Sequence, residues 1–162
     1  MSVTFQSIRF GVVEIDPEDV IEFPLGLIGL GGLRYTLLDR NPGSGFLWLH
    51  AVDEPALALP VVNPGDFFPG FELQIAPEDR ERTGLQDIVG ADLYVTVRAT
   101  PNPLDITANL RAPIVVLDGL GYQVLNTHED APLQAPLFSL PAGLPSDAQG
   151  APGGGARQQI AS

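Results

Sequence analysis

Cysteine is absent from this chain of 162 residues. Disulfides, thiolate catalysis and cysteine-held zinc or iron–sulfur centres are thereby excluded. Lysine is absent too: all eight basic residues are arginines, set against twenty acids, for a net charge of −12. A lysine-type phosphate loop is ruled out. The clustered positive charge that grips a nucleic-acid backbone is also missing, so no direct nucleic-acid contact is expected. No apolar run approaches the ~20 residues that a membrane-spanning helix needs. Residues 1–10 lack the basic segment and long apolar stretch of a secretory signal. These absences lead to the expectation of a cytoplasmic protein without membrane contact.

What is present is a chain with 44% apolar residues, enough for one packed domain. Excess acid keeps such a domain soluble, and a field of one sign also steers a basic protein partner toward it.

Short runs rich in β-branched and aromatic residues, broken by Gly, Pro, Asn and Asp, dominate the sequence. The candidate strands are Val3–Arg9, Val12–Ile15, Arg34–Asp39, Phe46–Val52, Ala58–Val62, Phe71–Ile75, Leu93–Ala99, Ile106–Leu110, Ile114–Leu117 and Tyr122–Leu125. In Leu93–Ala99 the residues Leu93, Val95 and Val97 share one face, and Tyr94, Thr96 and Arg98 the other. Asp16-Pro17-Glu18-Asp19 carries helix-start signals, but Phe23-Pro24 follows soon after, so one turn at most forms. Residues 76–84 hold the better helix, with proline and acids early, arginines late and Gly84 at the end. The expected fold is therefore all-β and mainly antiparallel: a small closed or partly open β-barrel-like domain with one short helix. The domain is expected over residues 1–140. Residues 141–162, rich in Gly, Pro, Ala, Ser and Gln, are expected to form a flexible tail.

Catalytic and metal-binding signals are thin. His50 falls inside a strand on the face of Phe46 and Trp48, where a satisfied, partly buried histidine is expected. His128 lies beside Glu129 and Asp130, and three adjacent residues rarely converge on one ion. Gly26, Gly29, Gly31 and Gly32 fail the dinucleotide spacing, because Arg34 stands where the third glycine belongs. They suit positive φ angles in a turn instead. No catalytic residue, metal ligand or cofactor is assigned. Carboxylates are numerous, however, and an acid–base pair acting on a carbohydrate or small acid stays open as an alternative. Glu14, Asp16, Glu18, Asp19 and Glu22 crowd into one stretch. They read either as a solvated edge or as a dock for an arginine- or lysine-bearing protein.

The most distinctive stretch is Thr107-Ala108-Asn109-Leu110-Arg111-Ala112-Pro113-Ile114-Val115. Asn109 and Arg111 interrupt an otherwise apolar run, and polar groups in such a place need partners. Asn109 is expected to bond local backbone and Pro113 to mark a strand edge or bulge. Arg111 is expected to pair with a carboxylate or reach toward a partner.

This run, followed by Gly121-Tyr122-Gln123-Val124-Leu125, resembles the FliW family of bacterial flagellar assembly factors. So do Phe10-Gly11 to Ile15, then Ile21-Glu22-Phe23-Pro24-Leu25-Gly26-Leu27. The middle elements Phe46-Leu47-Trp48-Leu49-His50, Asp53-Glu54-Pro55 and Leu57-Ala58-Leu59-Pro60-Val61-Val62-Asn63-Pro64 resemble it as well. The likeness runs from about Phe5 to Leu137. It departs from the family at Gly26-Leu27-Ile28-Gly29-Leu30, where a glycine-leucine-proline-glycine-phenylalanine turn is usual, and at His50-Ala51 and Phe71.

The resemblance implies a small β-barrel without catalytic activity. It implies two protein partners: CsrA, a basic RNA-binding regulator relieved of its repression of flagellin translation, and flagellin itself, with the two exchanging. CsrA action in the family is allosteric or non-competitive. The acidic residues 14–22 then suit CsrA. Flagellin ends form amphipathic helices, which the apolar patches around Leu27, Ile28 and Leu30 and around Phe67 and Phe68 suit. A monomer is expected, with Gly26, Gly29, Asn109 and Pro113 as structural positions and Arg111 at the surface.

Overall fold

Strand-sized apolar runs alternate with turn formers, and where outer layers cover the ring the strands bury residues on both faces. The computed structural model describes residues 2–30, 33–85, 88–128 and 131–138. Its strands are β1 (Val3–Ser7), β2 (Gly11–Ile15), β3 (Ile21–Glu22), β4 (Arg34–Leu38), β5 (Phe46–Ala51), β6 (Ala58–Val62), β7 (Asp92–Arg98), β8 (Thr107–Ala108), β9 (Ile114–Leu117), β10 (Leu120–Gln123) and β11 (Ala135–Pro136). Two α-helical segments join them: α1 (Pro64–Phe67) and α2 (Pro77–Thr83).

The ring order is β4, β5, β6, β7, β9, β10, β3 and back to β4, a closed barrel of 7 strands. Every pairing in it is antiparallel except β10 with β3, where Leu120 faces Glu22. Closure removes the free edges that would otherwise invite foreign strands. The interior holds Ile21, Phe23, Leu27, Tyr35, Leu49, Ala51, Val61 and Ile114. Phe23 and Tyr35 meet edge to face, with centroids 5.2 Å apart, and both are fully buried.

Three layers cover the outside of the ring. The β1–β2 hairpin lays Phe5 and Val13 on Leu38 and Val52. Val62, Val95 and Val97 are covered by Ala108, Leu110, Ala131, Ala135 and Leu137, with Phe67 and Phe68 at the margin. Val115 and Val124 are covered by Ile75 and Leu85 from the segments flanking α2.

His50 fixes the hairpin to the barrel. It is fully buried, deeper than the partly buried setting expected of it. Its Nδ1 lies 2.8 Å from the Ala51 carbonyl oxygen, which only accepts, so Nδ1 carries the proton. Nε2 then accepts from the Ser7 hydroxyl at 2.7 Å. The Ser7 Oγ in turn accepts the N–H groups of Arg9 and Phe10 and shapes the hairpin turn. One strand histidine thus joins two layers.

Some expected elements are shorter or absent. Residues 71–75 form no strand beyond a bridge of Ile75 to Asn126, because side-chain bonds rather than a ladder hold this segment. Strand pairing in 106–110 is limited to Thr107 and Ala108. The two-residue strands β3 and β11 escape the sequence pattern, being too short to show a period. The expected helix appears as α2, with Gly84 left-handed at φ 77° after it. The single turn α1 is additional, capped by Asn63 Oδ1 on the Gly65 N–H.

Asp79 ties α2 to the barrel. Its Oδ2 accepts the Leu125 N–H at 2.7 Å and its Oδ1 accepts Arg82 Nη2 at 2.8 Å. Burial alone would raise its pKa, but these donors outweigh burial and hold it below the usual carboxylate range. A depressed carboxyl stabilises the fold above its unfolded pKa of about 4, and that contribution vanishes as pH falls through the folded value. Thermal melts should therefore be level between pH 7 and pH 5 and decline below about pH 4. Asp79→Asn should lower stability by about 1–3 kcal/mol at pH 7 and flatten that acid decline. An unaltered acid limb in Asp79→Asn would remove Asp79 from the account.

Candidate functional site

The turn after β3 and the loop before β9 face one another across a groove of about 630 Å³. Glycines permit the turn: Gly26 has φ 71° and Gly29 φ 77°, values that side-chain-bearing residues rarely adopt. Gly26 N–H bonds the Phe23 carbonyl and Leu30 N–H bonds the Leu27 carbonyl. Between them Leu27 points into the barrel core, whereas Ile28 is 61% exposed. Gly31 and Gly32 lie outside the described residues.

On the other side, Asn109 Oδ1 accepts the N–H groups of Arg111 at 3.0 Å and Ala112 at 3.2 Å. This side-chain turn explains a polar residue in an apolar run: it replaces the ladder that Pro113 would break. Pro113 is buried just before β9, and its carbonyl accepts the Val124 N–H at 3.1 Å. Arg111 Nε donates to the Ala131 carbonyl at 2.8 Å. It therefore pins the 131–134 segment and, among the described residues, pairs with no carboxylate, although the residue stays exposed. Gln123 spans the groove floor: its Oε1 accepts the Ile28 N–H at 2.8 Å, and its Nε2 donates to the Ala112 carbonyl at 2.9 Å.

The structure thus gathers Leu27, Ile28, Asn109 and Arg111 at one place, together with Leu30, Arg98, Leu125 and Leu133. The sequence marked none of the last three as a site residue: Arg98 read as one face of a strand, Leu125 as the end of a motif, and Leu133 not at all. Leu133 arrives because β11 pairs with β8, and β11 is too short to read from pattern. Among the described residues, no Asp or Glu lines the groove. The facing carboxylates that an acid–base enzyme would need are therefore not found there.

Phe67 and Phe68 lie elsewhere. Both are half-buried against the outer layer, and Phe67 stacks edge-on with Phe46 at 5.7 Å and Phe138 at 6.0 Å. They do not join Leu27 and Ile28 in one patch, because the core beside β7 occupies them. Glu14, Asp16, Glu18, Asp19 and Glu22 are all exposed along β2, a single 3-10 turn and β3. Glu14 accepts the Ser2 hydroxyl at 2.6 Å. Glu22 stands opposite Arg34, which makes a two-pronged bond to Asp53. His128 Nε2 approaches Glu72 at 3.3 Å, and its neighbours Glu129 and Asp130 lie outside the described residues.

A family model for the FliW protein matches residues 4–137. The flagellar assembly factor FliW of Alkaliphilus metalliredigens is 35% identical over 113 residues, which is 68% of this chain and 70% of that protein. The FliW of Leptospira biflexa is 31% identical over 134 residues, covering 80% of this chain and 88% of its own length. A crystal structure of the flagellar assembly factor FliW superposes with a TM-score of 0.73 at 29% identity, over 84% of this chain and 97% of that one. The barrel, the order of the motifs along it and these likenesses agree: the chain belongs to the FliW family.

Proposed function

We propose that this protein acts in flagellar assembly by binding CsrA and flagellin in exchange, so that flagellin held by the protein leaves CsrA free to repress. The observation that carries the reading is that one barrel bears two unlike surfaces, with none of the acidic run lining the groove. One is the exposed run Glu14, Asp16, Glu18, Asp19 and Glu22. The other is the apolar groove beside Ile28. CsrA holds RNA phosphates and so presents positive charge. The acidic run complements it and speeds encounter. The groove offers apolar side chains to one face of a flagellin helix. The protein acts in the cytoplasm as a monomer, binds no nucleic acid or membrane itself and catalyses nothing.

The test is co-elution of the purified protein with CsrA and with flagellin from the same organism. Both complexes are expected at low salt, and the CsrA complex should weaken as salt is raised, since exposed charges are screened beyond about 10 Å at 0.1 M. Reversing Glu18 and Asp19 to lysine should weaken CsrA and leave flagellin bound. Failure of both partners to bind at low salt would sink the functional reading while leaving the fold intact.

A further inference from the structure

The charge on the described lining of the groove is the reverse of the charge on the chain. The protein carries −12 overall, yet the groove's described lining contains two arginines, Arg98 and Arg111, and no carboxylate. Two of the eight basic residues therefore stand at one apolar depression. Arg98 is exposed at the end of β7 and makes no ion pair among the described residues, although Asp105 lines the adjoining hollow with it. Arg111 commits its Nε to the Ala131 carbonyl, which fixes the guanidinium at the groove, and it makes no ion pair among the described residues. Beside them Ile28, Leu125 and Leu133 are 61%, 46% and 63% exposed. The Gln123 bridge holds the two walls at a fixed separation.

We propose that this groove is a docking site for an acidic amphipathic segment of a partner protein. Two or three apolar side chains of that segment fill the hollow, and one or two carboxylates beside them pair with Arg98 and Arg111. The charge pattern selects the occupant. A basic segment meets two guanidiniums that no described carboxylate neutralises by an ion pair, and is rejected, although the protein as a whole attracts it. The far field and the near field thus sort partners in opposite directions. Basic proteins are steered to the acidic outer surface, and acidic apolar segments are retained by the groove. This deepens the assignment of the groove to flagellin and rests on it only for the partner's name, not for the chemistry of the site.

The test is selection from a random peptide library displayed on phage, using the full-length protein, followed by affinity measurement on the enriched peptides by fluorescence anisotropy. Enriched peptides are expected to combine Leu, Ile or Phe with an adjacent Asp or Glu. Arg98→Gln should weaken them about two- to fivefold, as an exposed charge pair does, and Arg98→Glu should shift a repeated selection toward Lys and Arg. Ile28→Asp should abolish binding without lowering the melting temperature, because that side chain is exposed. Enrichment of basic or charge-free peptides, no enrichment at all, or binding that survives Ile28→Asp overturns the proposal. Flagellin co-elution measured alongside separates the two claims. Flagellin bound without acidic-peptide enrichment overturns the groove assignment alone, whereas loss of flagellin binding with acidic peptides still captured overturns the partner alone.

Discussion

Gly121→Ala is expected to be among the most destabilising single-methyl additions in this protein. A Cβ at Gly121 would stand within 3.0 Å of three carbons of the Phe23 ring. The ring has nowhere to go. Phe23 is fully buried inside the barrel and packs edge-on against Tyr35, itself fully buried. Gly121 is equally fixed, since β10 pairs with β9 on one side and β3 on the other. Overpacking of this kind typically costs about 1–3 kcal/mol and sometimes more. For a chain of this size each kcal/mol lowers the melting temperature by about 2–4 °C. A fall of about 2–12 °C in a calorimetric scan is therefore expected. Gly70→Ala is the matched control, since open space surrounds that glycine and its φ is not positive. The physical cause is checked by adding Phe23→Leu. If ring overlap is responsible, the double variant is less destabilised than the two single effects summed. Strict additivity would locate the cost elsewhere, and an unchanged Gly121→Ala melt would show that Phe23 has room to move.

The second large effect is expected at Asn126. This side chain is 1% exposed and makes four bonds. Its Oδ1 accepts the N–H groups of Gln74 and His128, each at 3.0 Å. Its Nδ2 donates to the carbonyls of Glu72 at 2.9 Å and Leu110 at 3.4 Å. Three separate segments, 72–75, 110 and 126–128, thus meet on one amide. Asn126→Ala leaves backbone donors and acceptors buried without partners, at about 1–3 kcal/mol for each that water cannot reach. A total near 3 kcal/mol is expected, read from denaturant unfolding. Amide exchange should rise first at residues 74, 127 and 128, because the segment before α2 has no strand ladder to fall back on. Uniform exchange across the barrel, or a loss below about 0.5 kcal/mol, would show that Asn126 is not the tie this geometry makes it.

These two positions also mark how far the sequence could be read. The long strands β1, β2, β4, β5, β6, β7 and β9 were legible, because each shows β-branched or aromatic enrichment between turn formers. The helix over Pro77–Thr83 was legible from its proline, its order of charges and Gly84. Gly121 and Asn126 were not. A glycine in a strand says nothing about which ring crosses it, and an asparagine in a polar turn looks the same whether solvated or buried.

The sequence by itself determined the fold class, the run of motifs that the FliW family shares, the acidic surface and the need of Asn109 for a partner. All of these depend on local pattern or on composition. Only the tertiary structure decided that Ile28 and Arg111 share a groove while Phe67 and Phe68 lie in another layer. It also decided that Arg111 anchors the 131–134 segment, and that the groove sets Arg98 and Arg111 beside apolar side chains. Barrel closure is the reason. It brings together the turn after β3 and the loop before β9, and the pairing of β11 with β8, itself paired to β7, adds the third wall; their separation along the chain hides these contacts, and the pairings are too short to carry a period of their own.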